Sequence, residues 1–325
     1  MTRPGPTSAV EVVAAVIRDA RGRILLARRT AGRDLAGLWE FPGGKREPGE
    51  SPGVALQREL REELGIEAQI GPRLITVPQI YPTKRLRLDV HEISCWQGQA
   101  RGIEGQALLW VPPEKLPRYA MPPADRPVVA ALLQPDRYLV TPDLRDDPHD
   151  DAGWLAGLDH ALAAGIRRVQ LRAPTVAAAR WPGLVAAAVA RCRSAGAEVL
   201  VNGDAELARI HGVGLHLRAS QLRALGRRPL PDDCLLAASC HDLEEVRMAE
   251  ELGCQFAVVG AVKPTASHPG AGGMGWDGFA ALREHVSLPL YAIGGLGGGD
   301  LGEARRHGAQ GIAAIRALWP ESAAA

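Results

Sequence analysis

The chain lacks the residues that build cross-links. Its 325 residues include five cysteines (Cys95, Cys192, Cys234, Cys240 and Cys254), odd in number, scattered, and without a C-x-x-C pair. That excludes a disulfide framework and a zinc-thiolate cluster, and it points to a reducing compartment. Long apolar runs are missing too: no segment approaches the roughly 18 apolar residues of a membrane span. The start, MTRPGPTSAV, has no signal-peptide core. A soluble, cytoplasmic protein with no membrane partner is expected. An excess of either charge is also absent. The 38 basic and 37 acidic residues leave a net charge of +1, so nothing draws the whole chain to nucleic acid. Only four of the basic residues are lysines, which beside abundant Ala and Gly reads as a compositional habit, not a binding surface.

What is present is concentrated between Gly44 and Ile66, which reads G-KREPG-E-SPGVALQ-RELREELGI. Glu59, Glu62 and Glu63 stand at i, i+3 and i+4 and so project from one face of a helix. Glu50 lies at or before the start of that helix, where the helix dipole favours an anion. Like charges this close repel one another unless a cation neutralises them. Hard oxygen ligands suit Mg²⁺, or Mn²⁺, and such ions suit diphosphate oxygens.

The pattern G-x5-E-x7-R-E-U-x-E-E-x-G-U, where U is aliphatic, resembles the signature of the Nudix hydrolases. It is matched by Gly44, Glu50, Arg58, Glu59, Leu60, Glu62, Glu63, Gly65 and Ile66. The preceding L-W-E-F-P-G-G-K, Leu38 to Lys45, resembles the MutT branch, which removes pyrophosphate from oxidised purine nucleoside triphosphates. The resemblance implies that Glu59, Glu62 and Glu63, with a carbonyl of Gly43 or Gly44, hold the metal, and that Glu104 is a further acid beside it. Arg58 would orient Glu59, a base for water. Arg29, Glu40 and Phe41 align with nucleotide-contacting positions, although Phe41 also reads as core. Asp125, in MPPADRPVV, stands where the MutT branch has an Asn that reads the purine edge. An ionised Asp only accepts hydrogen bonds. Asp125 could therefore bind a guanine N1–H and N2–H edge, act as a neutral acid if buried, or cap the helix that follows.

Two grammars divide the chain. Residues 9–29 read as two strands around Ala20-Arg21-Gly22, followed by a loop to Glu50, a helix near 52–64, strands at 73–79, 85–96 and 107–111, and a helix near 127–133. This is expected to be an α+β Nudix sandwich over residues 1–134. From Tyr138, the runs YLVTP, RVQLR, EVLVN, GLHL, LLAAS, FAVVG, LYAIGG and GIAAI alternate with Ala-rich helical stretches. Eight such signals predict an α/β (β/α)₈ TIM barrel over residues 135–325.

The barrel half resembles thiamine-phosphate synthase and its relative TenI, a thiazole tautomerase. The resemblance implies that Gln170, Arg172, Asn202, Ser239, Gly294 and Gly295 bind a phosphate ligand, and that His241 moves protons. Several parts of the synthase machinery are replaced: two lysines by Pro174 and His268, two metal-binding acids by Gly203 and Gln221. Synthase activity is therefore not expected. The expected enzyme is a Mg²⁺-dependent hydrolase of 8-oxo-dGTP, with a degenerate barrel that has a possible thiazole phosphate ligand. Two alternatives remain: a thiamine-pathway hydrolase of a pyrimidine or thiamine diphosphate, and a barrel that acts as a non-catalytic sensor.

Overall fold

The computed structural model describes residues 9–32, 34–144, 150–264 and 272–319; His268 lies outside them. Along the chain, the main division between two compact units falls between Gln134 and Pro135.

The first unit runs β1 (Val10–Val16), β2 (Ile24–Arg28), β3 (Trp39–Glu40), β4 (Gly43–Lys45), α1 (Pro52–Leu64), β5 (Glu67–Tyr81), β6 (Lys84–Gln97), β7 (Leu108–Val111) and α2 (Arg126–Leu133). Strands β4-β1-β6-β5 form one sheet and β3-β2-β7 a second. The β1–β6 pair is parallel and β1–β4 antiparallel. Strand alternation makes β1 serve two layers. Val13, Ala15 and Ile17 pack with Leu56, Leu60 and Leu64 of α1. Ala14 and Val16 turn the other way, into a cluster holding Phe41, Val77 and Val128 of α2. The two strands expected around Gly22 do form, but they part into different sheets and share a single bridge, Arg18 to Ile24. The expected loop to Glu50 contains two short strands, β3 and β4, which the sequence reading missed.

The second unit is a closed barrel of eight parallel strands: β8 (Arg137–Val140), β9 (Arg168–Leu171), β10 (Glu198–Asn202), β11 (Gly214–Leu217), β12 (Leu236–Cys240), β13 (Phe256–Gly260), β14 (Leu290–Ile293) and β15 (Gly311–Ala314). All eight predicted runs are strands. β15 closes on β8, with Ile312 opposite Arg137. Tyr138, Leu200, Phe256 and Tyr291 share one buried cluster. The Arg168 guanidinium lies 4.4 Å above the Phe256 ring and its Nε donates to Glu198 at 2.6 Å. Among the described residues, no helix is long and apolar enough to cross a membrane.

Candidate active site

Helix α1 is built to hold its acids still. Ser51 caps it, its Oγ accepting the Val54 N–H at 3.3 Å. Pro52 occupies the first turn, where no N–H partner is needed. Gly65 ends the helix in the left-handed region, φ 67°, returning its N–H to the Arg61 carbonyl. Leu56, Leu60 and Leu64 are fully buried. Burial of each such side chain contributes roughly 1.5–3 kcal/mol and fixes the rotation of the helix.

Arg58 gathers the acids. Its Nε and Nη2 donate to the two Glu50 oxygens at 2.8 and 2.9 Å. Its Nη1 donates to Glu59 at 2.9 Å and Glu62 at 3.1 Å, and Nη2 also reaches the Lys45 carbonyl at 3.0 Å. Hydrogen bonds from Arg58 hold the Glu50 carboxyl down to about 2. Glu50 is therefore anchored by Arg58, while Ser51 does the capping. Glu59 moves the other way: burial raises its pKa and the charges of Glu62 and Glu104 add to that, against the pull of Arg58. A carboxyl with a raised pKa beside other acids is suited to take a proton or to meet a cation.

The backbone closes in from β4. A Cβ on Gly44 would fall 2.2–2.5 Å from the Glu59 carboxylate, so that acid lies directly against the Gly44 backbone. Gly43, at φ 151°, would carry its Cβ 2.1 Å from the Val13 carbonyl. Glu63 is buried. Its carbonyl accepts from Ile103 N–H at 3.0 Å and from the Gln106 amide at 2.9 Å, tying the turn that carries Glu104 to α1. Glu104 itself is exposed.

Next to this cluster lies a cleft of about 290 Å³, lined by Arg29, Glu40, Phe41, Gly43, Tyr81 and Asp125 among others. Arg29 is ion-paired with Glu40. Phe41 is 3 % exposed, so it is both core and cleft wall. Asp125 is buried, and its Oδ1 accepts the Phe41 N–H at 3.3 Å. Burial, then the neighbouring Glu40 charge, pushes its carboxyl up to about 8. Asp125 starts α2 with helical backbone angles and makes no capping hydrogen bond.

In the barrel, Gln170 donates to the Asn202 side chain at 3.3 Å. Ser239 Oγ lies 2.8 Å from His216 Nε2, and the other ring nitrogen of His216 lies 3.1 Å from the Tyr138 hydroxyl. His241 Nδ1 is 3.0 Å from Glu245, which also pairs with Arg223. Gly294 and Gly295 both have positive φ, 108° and 63°. Arg172 follows β9, its backbone N–H bonded to Thr141 Oγ1 at 2.9 Å.

Residues 13–131 match the NUDIX domain family and residues 137–318 the thiamine monophosphate synthase family. The CTP pyrophosphohydrolase of Escherichia coli K12 is 46 % identical over 38 % of this chain and 91 % of its own length. The 8-oxo-dGTP diphosphatase of Haemophilus influenzae is 39 % identical over the same shares, 38 % and 91 %. The thiamine-phosphate synthase of Chromobacterium violaceum is 37 % identical over 56 % of this chain and 87 % of its own length. The chain is a Nudix hydrolase fused to a member of the thiamine monophosphate synthase family.

The Nudix half brings Arg58, Glu59 and Glu62 into one hydrogen-bonded group, with Gly44 against Glu59, and it brings Arg29, Glu40, Phe41 and Asp125 into one cleft. Among the described residues, no three His, Cys, Asp or Glu side chains already converge as a metal cage. The donor set nonetheless fits a hard divalent cation: three acids on one helix, a glycine backbone pressed against Glu59, and an ionised Glu59 carboxyl disfavoured by burial and, to a lesser degree, by neighbouring negative charge. Glu62 and Glu104, the exposed members, have room to turn. Tyr81 was missed by sequence reading. It lies at the end of the long strand β5, its hydroxyl accepting the Ala124 N–H at 3.3 Å, beyond the strand expected over 73–79, so no signal in the sequence marked it.

Proposed function

We propose that the Nudix half hydrolyses a nucleoside triphosphate to the monophosphate and pyrophosphate, with 8-oxo-dGTP as its substrate and Mg²⁺ or Mn²⁺ as its cofactor. Glu59, Glu62 and Glu63, with a Gly43 or Gly44 carbonyl and Glu104, would hold the cation. Bound there, it would offset charge on the phosphate oxygens. Glu59, held by Arg58, takes the proton of the attacking water. As the new P–O bond forms, the bridging P–O bond between the α- and β-phosphorus breaks. The proton on Glu59 then returns to solvent.

The observation that carries the substrate reading is buried Asp125 with its raised pKa. As a neutral acid it presents one O–H donor and one carbonyl acceptor, the same pair an Asn amide offers. In guanine, N7 and O6 are both acceptors, and an acceptor on the protein faces one of them unfavourably. In 8-oxoguanine N7 carries a hydrogen, so the edge becomes donor plus acceptor and complements the acid. The same pair also complements cytosine, with its N4 donor beside an acceptor N3. The relative named for CTP, at 46 % identity, favours that as the second reading.

The barrel, with Pro174, Gly203 and Gln221 in place of synthase groups, is proposed to bind a phosphate-bearing ligand without synthase chemistry. Its contacts would come from Gln170, Arg172, Asn202, Ser239, Gly294 and Gly295, and His241 would be placed for proton transfer. The test of the hydrolase is release of pyrophosphate from 8-oxo-dGTP, dGTP and CTP, and of inorganic phosphate from thiamine diphosphate, by wild type and Glu62→Gln, with Mg²⁺. A kcat/KM for 8-oxo-dGTP well above those for dGTP and CTP, lost in Glu62→Gln, supports the first reading. A preference for CTP moves the assignment to cytosine. Release of inorganic phosphate from thiamine diphosphate as the fastest reaction overturns both.

A further inference from the structure

At the C-terminal ends of β9, β10 and β11, where barrels of this kind hold their ligands, a guanidinium occupies a place that carboxylates leave empty. Gly203 follows Asn202 at the end of β10 with φ 71°. A Cβ built there would meet Arg218 Nε at 2.6 Å, Nη2 at 2.8 Å and Cζ at 2.9 Å. Arg218 therefore leans from the end of β11 across the end of β10, and Arg172 follows β9, the next strand in the barrel. The Arg218 backbone is clamped in that position by Gln221. The Gln221 amide donates to the Gly203 carbonyl at 2.8 Å and its Oε1 accepts the Arg218 N–H at 3.1 Å.

Among the described residues, the side chains of Arg172 and Arg218 make no ion pair or hydrogen bond, whereas the carboxylates on the neighbouring strand ends are already engaged. Asp204 accepts two N–H groups of the helix it caps, at 3.1 and 2.9 Å. Asp143 accepts from Leu144 and Thr175. Glu245 is taken by Arg223 and His241, and Asp300 by Lys263 at 2.7 Å. Two forks at one end of a barrel, unpaired among the described residues and with no free carboxylate beside them among those residues, form a site for an anion and a poor site for a divalent cation. Planar forks match phosphate oxygens bidentately.

We propose that the barrel binds a phosphate- or diphosphate-bearing small molecule through Arg218 and Arg172 without a divalent metal, Arg218 supplying the positive charge that a metal would otherwise bring. This rests on the barrel reading above, to which it adds Arg218 and the exclusion of a metal, and it stands independently of the hydrolase reading. Gly203 is integral to the arrangement, because any side chain there would displace the guanidinium.

The test is calorimetric titration of the full chain with pyrophosphate, and separately with inorganic phosphate, in excess EDTA and then in Mg²⁺. Expected is binding in EDTA whose Arg218-dependent part, the difference between wild type and Arg218→Gln, is not tightened by Mg²⁺. Arg218→Gln and Arg172→Gln should each weaken it about tenfold, the size of one charge-assisted contact. Arg218 is exposed, so its replacement leaves folding intact, and an unchanged thermal midpoint checks that. Gly203→Asp is a second variant, expected to abolish metal-free binding because its carboxylate would pair with Arg218. No binding in EDTA with binding restored by Mg²⁺ would overturn the proposal, as would binding that survives Arg218→Gln undiminished.

Discussion

Asp125 Oδ1 accepts the N–H of Phe41 at 3.3 Å, joining positions 84 residues apart. The bond sets an acid at the start of α2 against the strand segment that leads into the Glu59 cluster. It favours the carboxylate form, but burial outweighs it and raises the pKa of Asp125. The residue makes no helix cap, and burial favours its neutral form over the anion. The neutral acid then offers the same donor and acceptor pair as an Asn amide.

That yields a prediction in pH. Below about 8 the Asp125 carboxyl holds its proton, and Asp125→Asn should leave kcat/KM within a few-fold of wild type. Above it, the wild type loses the O–H donor, and kcat/KM for 8-oxo-dGTP should fall by about tenfold per pH unit. Asp125→Asn should lack that fall. Stability gives a second readout. The folded pKa lies above the ordinary 3.8, so this group's contribution to stability is lost as pH rises from about 4 towards 8. Asp125→Asn should therefore raise the thermal midpoint more at pH 8 than at pH 5. Equal gains at both would refute the buried-acid assignment.

Arg58 holds three carboxylates at once. Its replacement by Met should leave Glu50, Glu59 and Glu62 facing one another without a cation. We expect kcat to fall by about 10²-fold, in line with loss of a group that positions a catalytic base. The thermal midpoint of Arg58→Met should also recover more on addition of Mg²⁺ than that of wild type, because a bound cation stabilises the folded state by mass action. Scanning fluorimetry with Mg²⁺ or with EDTA measures both. An Arg58→Met protein insensitive to Mg²⁺ would separate these acids from any metal.

Gly43 and Gly44 are adjacent but should fail differently. An alanine methyl at Gly44 would collide with the Glu59 carboxylate, the far end of a side chain that can swing away. Gly44→Ala should fold near normally and lose most activity. At Gly43 the methyl would meet the Val13 carbonyl at 2.1 Å and the backbone is at φ 151°, so neither partner can yield. Gly43→Ala should lower the thermal midpoint by several degrees, consistent with a backbone penalty of roughly 1–3 kcal/mol. Circular dichroism melts beside initial rates distinguish the two.

Where sequence reading succeeded, the signal was periodic or fixed by spacing. The eight barrel strands are apolar runs in an alternating chain, and α1 is framed by Pro52 and Gly65. β3 and β4 span only two and three residues, too short to show a period. Separation of β1 from β2 depends on long-range pairing that a turn at Gly22 does not reveal. The charge of Arg168 argues for the surface, yet Phe256, Tyr291 and Glu198 together accommodate it in the barrel. At the sites, the acids of α1 announced themselves by spacing. The raised pKa of Asp125 and the reach of Arg218 over Gly203 both depend on neighbours remote in sequence.

His216 carries the last prediction. It is 1 % exposed, with Ser239 on one ring nitrogen and Tyr138 on the other, and burial pushes its pKa from 6.5 to about 3. The unfolded chain takes up a proton at a pH where the folded barrel does not. This residue's contribution to stability is therefore full above about 6.5 and is lost as pH falls towards 3, at about 1.4 kcal/mol per unit of pH. Replacing His216 by Gln keeps a donor and an acceptor but removes the titration. The variant should be less stable than wild type at pH 7.5, and the gap should narrow or reverse at pH 4.5. Tyr138→Phe, which strips one partner from the ring, should cost about 1–3 kcal/mol at pH 7.5. Parallel slopes of midpoint against pH for wild type and His216→Gln would show that the imidazole is not held neutral between these two partners.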